Sequence, residues 1–266
     1  RSDLIISSKV FWGGDGQNEK GLSRKHLIEG FDGILSRLKI DYLDIGFCHR
    51  FDGLTTTEEI VDTMNILINQ GKLLYYGTSE WTAQQITEAH WIAKSKGLIP
   101  PCVEQLQYNM LERNRFESEY QAIFKEPYNI GTTVWGPLKS GILTGKYNDT
   151  IPDGSRLKTY SHIEDVWSKN KDIWLPKIKE LTEFAKKKNT SIGNLAIAWI
   201  LKRKYVSTVL LGASKEEQII DNLKSIDVAT KLTNDDMIYI DSILDNKPEL
   251  PMHYGRFLDK KIELIS

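Results

Sequence analysis

None of the short signatures that usually announce chemistry occurs in this sequence. It has no GxGxxG after a strand, no GxxxxGK(S/T), no HExxH, no CxxC pair and no GxSxG. That removes the fingerprints of a Rossmann dinucleotide site, a P-loop, a zinc protease and a nucleophile elbow. The five histidines, His26, His49, His90, His162 and His253, are too scattered for a metal-site spacing, so no metal is expected. Only two cysteines occur, Cys48 and Cys102, both inside apolar strand-like runs. They fit buried thiols in a reducing cytosol better than a disulfide framework. The longest apolar stretch, Ile192 to Leu201, is too short and too interrupted to span a bilayer. A formal charge of −1 offers no general attraction to nucleic acid or to an anionic membrane. A cytoplasmic, non-spanning protein without a nucleic-acid partner is expected.

What is present is an alternation of short apolar runs with amphipathic segments. Leu4 to Lys9 reads as a buried first strand, followed by "YLDIGFCHR", "LLYYGTSEW", "PCVEQLQYN", "IGTTVWGPL" and "VSTVLLGAS". Ser23 caps a predicted helix over "RKHLIEGFDGILSRLK", where Leu27, Phe31, Ile34 and Leu38 recur at three- and four-residue spacing. "TTTEEIVDTMNILINQGK" opens on threonine and early acids and stops at Gly71, and "TAQQITEAHWIAKSKG" stops at Gly97. Further helices are predicted near 176–188, 191–203, 215–225 and 233–244, with a long polar loop from Gly141 to about Lys171.

Continuous apolar strands between amphipathic helices mean a parallel sheet covered by helices. An open doubly wound sheet and a barrel both satisfy this alternation. Lys9, His49, Ser79, Gln105 and Trp135 each stand at the C-terminal end of a different predicted strand. A barrel would converge those ends on one mouth, where active sites lie, so a TIM (β/α)8 barrel is preferred. Six strands cannot close such a barrel, and the apolar start predicts that its first two strands and the intervening helix are absent here. No repeat or low-complexity linker appears, so residues 1–250 read as one domain with a tail over 251–266.

The strand ends carry usable chemistry. Lys9 could lower the pKa of a neighbouring phenol or carboxyl, and His49 could hydrogen-bond a carbonyl or act as a general acid. Ser79 in "GTSEW" and Gln105 in "EQLQYN" suit a carboxamide, which needs a donor and an acceptor. Trp135 adds a flat aromatic surface. In "LLGASKEEQIIDN", Gly212 allows close backbone approach, and the helix start after it attracts phosphate. "GPLKSGILTGKY" supplies Lys139, Ser140, Thr144 and Lys146, with Arg156 beyond. Two separated phosphate sites suit a dinucleotide with an extra phosphate.

"SSKVFWGG", "GLSRKHLIEGFDGILSRL", "YLDIGFCHRFD", "INQGKLLYYGTSEW", "EQLQYNML", "WGPLKSGILTGKY" and "LLGASKEEQIIDN" resemble, in order and spacing, motifs of the aldo-keto reductases. They are most similar to the branch containing the β subunits of voltage-gated potassium channels. The resemblance covers roughly residues 1–248 and leaves the tail from Pro251 to Ser266 outside it. It implies an eight-stranded barrel that binds NADPH and reduces aldehydes and ketones, with NADPH/NADP as cofactor. By resemblance, Lys9 is the catalytic lysine and His49 the residue that orients the carbonyl. Ser79 and Gln105 are the nicotinamide carboxamide contacts, and Trp135 stacks on the ring. Gly136, Pro137, Leu138, Lys139, Ser140, Gly141, Thr144, Lys146 and Arg156 resemble the loop folded over the pyrophosphate. Gly212, Ser214, Gln218, Asp221 and Asn222 resemble the adenosine-phosphate site.

Three positions depart from that pattern. The family's catalytic tyrosine and aspartate belong to a motif upstream of residue 1, so the chain alone is expected to be inactive. Glu80 stands where the channel subunits have arginine. His49 stands where they have asparagine but most reductases have histidine, which tilts the reading towards an enzyme acting on a small carbonyl substrate. The alternative is a regulatory channel β subunit, binding NADPH with little turnover. That reading implies a homotetramer docked on a channel's cytoplasmic domain and held at the membrane through it.

Overall fold

The computed structural model describes residues 1–250; the predicted tail over 251–266 lies outside the described residues. Six strands form one sheet in the order β1 (Ser7–Val10), β2 (Leu43–Cys48), β3 (Leu73–Ser79), β4 (Val103–Gln107), β5 (Gly131–Trp135) and β6 (Thr208–Val209). Neighbours run parallel, and the order is open at β1 and β6. The architecture is therefore α/β with an unclosed six-stranded sheet. The chain divides into two compact units, residues 1–106 with 119–133, and residues 107–118 with 134 onward.

In the first unit, helices α1 (Arg24–Leu38), α2 (Thr57–Asn69) and α3 (Ala83–Ser95) follow β1, β2 and β3. Their limits are those their end residues dictate. Ser23 and Thr56 cap the first two with side-chain oxygens, and Thr82 and Gln85 form a reciprocal capping box on the third. Lys39, Gly71 and Gly97 beyond the three C-termini have positive φ. Leu27, Phe31, Ile60, Met64, Leu67, Ile86 and Ala89 form the buried helical stripes, and Leu43, Phe47, Leu73 and Tyr76 are buried in the strands. At Gly77 a Cβ would stand 2.4 Å from the Val103 carbonyl oxygen, so only glycine lets β3 and β4 approach there.

The chain's first residues differ from the expected strand. Leu4 N donates to Arg1 O in a turn, and Leu4 and Ile5 are 58% and 74% exposed. Asp44 decides this: its carboxylate accepts from Ile6 N at 2.7 Å and pairs with Arg1 at 2.7 Å, ending the ladder at the sheet's border. Cys48 is buried as expected, but Cys102 precedes β4 and is exposed.

The second unit holds α4 (Asn114–Glu117), α5 (Arg156–Thr159), α6 (Ser161–Lys187), α7 (Ile192–Leu201), α8 (Glu216–Leu223), α9 (Ser225–Lys231) and α10 (Asn234–Leu244). The polar loop expected to run to Lys171 is already helical from Ser161, because α6 continues through Pro176. Proline removes one backbone donor, a loss an exposed helix face tolerates, while Trp167, Ile178, Leu181 and Phe184 keep the buried stripe. The helix expected over 215–225 is α8, and α9, which follows it, was not expected. Tyr108 stacks between Phe116 and Trp199 at 4.2 and 5.4 Å. Beside them Arg113 pairs with Glu117 at 2.8 Å and Asp241 at 2.9 Å, so these buried charges are compensated.

Glu104, fully buried on β4, accepts a hydrogen bond from Thr78 Oγ1. Burial pushes its carboxyl up to about 8, against the opposing Thr78 bond and with help from the charge of Glu80. Between its ordinary value of 4.5 and about 8 the folded chain holds a proton that the unfolded chain has released, so this group's stabilisation is lost as pH rises. The urea midpoint is expected to fall from about pH 5 to about pH 8 more steeply in the native protein than in Glu104→Gln. Equal slopes in the two proteins would show that Glu104 is ionised when folded.

Candidate functional site

In the first unit, parallel register gathers polar side chains at the C-terminal ends of the strands. Ser79 pairs in register with Gln105, and Lys9 with Phe47 two residues before His49. Lys9 Nζ donates to Gln105 Oε1 at 2.9 Å, and Gln105 Nε2 donates to Thr133 Oγ1 at 3.2 Å. Ser79 Oγ donates to the Gln105 carbonyl at 2.9 Å and accepts from Arg50 Nη1 at 3.3 Å. Arg50 Nη1 also donates to the His49 carbonyl, while His49 N is fixed by Val10 O at 3.0 Å. Lys9, His49, Ser79 and Gln105 thus meet as the sequence predicts.

Electrostatics give these groups distinct characters. Burial, with Arg50 and Lys9 adding repulsion, pushes His49 down to about 4. At neutral pH only about one His49 in a thousand is an imidazolium, so the ring is a neutral N–H donor rather than the general acid considered from sequence. Lys9 is also lowered, first by burial and then by Arg50. The Cys48 thiol is raised by burial and by Glu104, which makes it inert as a nucleophile.

The structure adds Arg50 and Thr133, which sequence reasoning missed. Arg50 was legible as the cation following His49 at a strand end. Thr133 was one of two adjacent threonines, and only the strand's facing distinguishes it from buried Thr132.

A carboxamide presented to Ser79 and Gln105 would meet the right chemistry, an oxygen acceptor and an amide, but both already satisfy each other's neighbours. It would have to take over the Gln105 bonds to Lys9 or Thr133.

In the second unit, Trp135 ends β5, and Gly136 turns the chain with φ +67°. Pro137 and Leu138 lead into a 3-10 segment, Lys139–Thr144, where Lys139, Ser140 and Gly141 have φ of 45°, 56° and 92°. Consecutive left-handed residues, two of them not glycine, store strain that ligand clamps commonly use. Thr144 Oγ1 donates to Gly141 O at 2.7 Å, and Lys139 pairs with Glu112 at 2.6 Å. Lys146 lies over the Tyr147 ring, and exposed Arg156 has no ion pair with a described residue. These last two are the cations that fit phosphate.

Ser214 N donates to Gln218 Oε1 at 2.9 Å, which ties the start of α8, and Asp221 pairs with Lys224 at 2.9 Å. Asn222 is buried. No described residue lies within 4 Å of a Cβ built at Gly212, so the close backbone approach expected there has no partner among the described residues. β6, at two residues, is shorter than the "VSTVLLGAS" strand expected, although Leu210 N still donates to Val134 O at 2.8 Å.

Residues 1–245 match the Aldo/keto reductase family. The chain belongs to that family. Two relatives, from Oryza sativa subsp. japonica and Arabidopsis thaliana, each bear the name "Probable voltage-gated potassium channel subunit beta". Both are 44% identical over 257 residues, a match covering 96% of this chain and 77% of the relative. The family generally binds NADP(H). No helix among the described residues of this aldo/keto reductase chain is long and apolar enough to cross a membrane.

The His49 value is directly testable. In an NMR titration, His49 is expected to protonate near pH 4, lowering stability as pH falls from its ordinary 6.5 towards 4 because the unfolded chain binds the proton first. A midpoint at the ordinary value would mean that neither burial nor the Arg50 and Lys9 charges act on the ring.

Proposed function

We propose that this chain is the catalytic body of an NADPH-dependent reductase of aldehydes and ketones. The observation that carries the reading is the hydrogen-bonded group of Lys9, Gln105, Ser79 and Arg50 around His49 at the strand ends. NADPH supplies the hydride that reduces the carbonyl carbon. Neutral His49 donates an N–H to the carbonyl oxygen and holds it. Lys9, with its ammonium half-buried, lowers the pKa of a neighbouring phenol, and that phenol protonates the oxygen.

Of the buried tyrosines, Tyr108 Oη donates to Glu117 and Tyr120 Oη to the Trp81 carbonyl, Tyr76 lies on the opposite sheet face from Lys9, and Tyr147 belongs to the second unit. The phenol in this reading comes from an Asp-x-x-x-x-Tyr segment, a pattern absent from these 266 residues, which by themselves would bind NADPH without turnover. Ser79 and Gln105 hold the nicotinamide carboxamide, and Trp135 offers its ring. Gly136 to Gly141 with Thr144, Lys146 and Arg156 serve the pyrophosphate, and Gly212, Ser214, Gln218, Asp221 and Asn222 the adenosine phosphate.

In the protein carrying the upstream segment, Lys9→Met is expected to lower kcat for aldehyde reduction by about 100-fold or more. Unchanged turnover would remove Lys9 from the chemistry, and reduction by the 266-residue chain alone would remove the upstream phenol.

A second reading rests on the names of the two relatives. In it the chain is a cytoplasmic regulatory β subunit, holding NADPH as a homotetramer on a voltage-gated potassium channel. Co-purification with a channel cytoplasmic domain, together with a tetramer by light scattering, is the expected outcome. A monomer that does not bind the channel would discard this reading and leave the reductase one intact.

A further inference from the structure

Arg50 is the residue that the reductase chemistry leaves unexplained. Its Nη1 is spent on the His49 carbonyl and on Ser79 Oγ, 3.3 Å away, which holds the half-buried guanidinium in place. Its Nε and Nη2, the edge that carries two parallel N–H bonds, have no hydrogen-bond partner among the described residues. The nearest carboxylate in sequence is already consumed: Asp52 accepts from Leu22 N at 2.7 Å, Leu54 N at 2.9 Å and Thr55 Oγ1 at 2.8 Å.

The two buried arginines among the described residues each have a carboxylate partner: Arg113 pairs with Glu117 and Asp241, and Arg203 with Asp241 through Nη2. Arg50 instead faces other basic groups, and its charge acts on both Lys9 and His49. A partly desolvated cation without a counter-ion is costly, and a planar carboxylate offers the two oxygens that a guanidinium edge receives.

We propose that the carbonyl substrate carries a carboxylate, seated on the Nε–Nη2 edge of Arg50, while its carbonyl oxygen is held by His49. This rests on the reductase reading. It makes Arg50 a determinant of specificity and the preferred substrates oxo-acids rather than neutral aldehydes.

The test compares 4-carboxybenzaldehyde with 4-methylbenzaldehyde in the protein carrying the upstream segment. The kcat/KM ratio is expected to favour the carboxylate by about tenfold or more, and to fall as salt is added. Arg50→Met should bring the ratio close to one, mainly through KM, and Arg50→Lys should keep part of it. A variant that merely disturbs Ser79 or His49 would lose both substrates together and keep the ratio. A native ratio near one, or a ratio preserved in Arg50→Met, overturns the proposal.

Benzoate binding to the same protein without cofactor gives a second readout, as a saturable shift of the Arg50 Nε–H NMR signal that benzamide does not produce. Displacement of benzoate by NADPH would assign the guanidinium to a cofactor phosphate and overturn the proposal. If no aldehyde is reduced, the reductase reading and the substrate assignment fall together. An Arg50-dependent benzoate shift would then show that the anion site itself survives.

Discussion

Parallel pairing in register is the constraint on which the candidate site depends. β1, β2 and β3 are each followed by a helix, α1, α2 and α3, and the next strand runs in the same direction, so these strands deliver their last residues to the same border. Ser79 and Gln105 are opposite one another because β3 and β4 are in register there. Lys9 reaches Gln105 across 96 residues of sequence and over two intervening strands, β2 and β3, so the long lysine side chain and the curl of these strands are needed as well as register. Residues that share no local motif thus become neighbours. The helix caps matter to this arrangement because they determine where each helix hands the chain back to the sheet.

The two units treat charge differently. In the second, Arg113 is enclosed by Glu117 and Asp241 and lies 5.1 Å from the Trp199 ring centre, so its burial is offset by ion pairs and aromatic contact. In the first, Lys9 and Arg50 hydrogen-bond amide, hydroxyl and carbonyl oxygens, and neither has a carboxylate partner among the described residues. A fold can carry such uncompensated charge only where solvent or a ligand reaches it. The half-buried Lys9 and Arg50 meet that condition, and the depression of His49 is its electrostatic signature.

Much of this was readable in the sequence. The helix limits at Ser23, Thr56, Thr82, Gly71 and Gly97 are local, since a hydroxyl or a missing Cβ acts on the few residues beside it. The meeting of Lys9, His49, Ser79 and Gln105 was readable because each stands at a strand's C-terminal end, and barrel curvature converges such ends. What escaped depends on long-range partners. The apolar Leu4 and Ile5 looked like a buried strand, but Asp44, forty residues on, holds Ile6 and turns them outward. Pro176 looked like a helix start because proline is at home there, yet the buried stripe on both sides carries α6 through it. Arg50 was visible as a cation at a strand end but its role was not, because that depends on whether an acid is near, and nothing local says that Asp52 is already occupied.

Glu104 and Gln105 are consecutive on β4 and so point to opposite faces of the sheet. One is a carboxyl kept dry behind Thr78, the other an amide exposed to Lys9 and Thr133. Back to back, they leave this strand no freedom of phase. Deleting or inserting a single residue ahead of them would trade their sides, bringing an acid to the lysine and sealing the amide among helices. Length changes in this protein should therefore accumulate in the connections before and after β4, never within it, however freely individual side chains there drift.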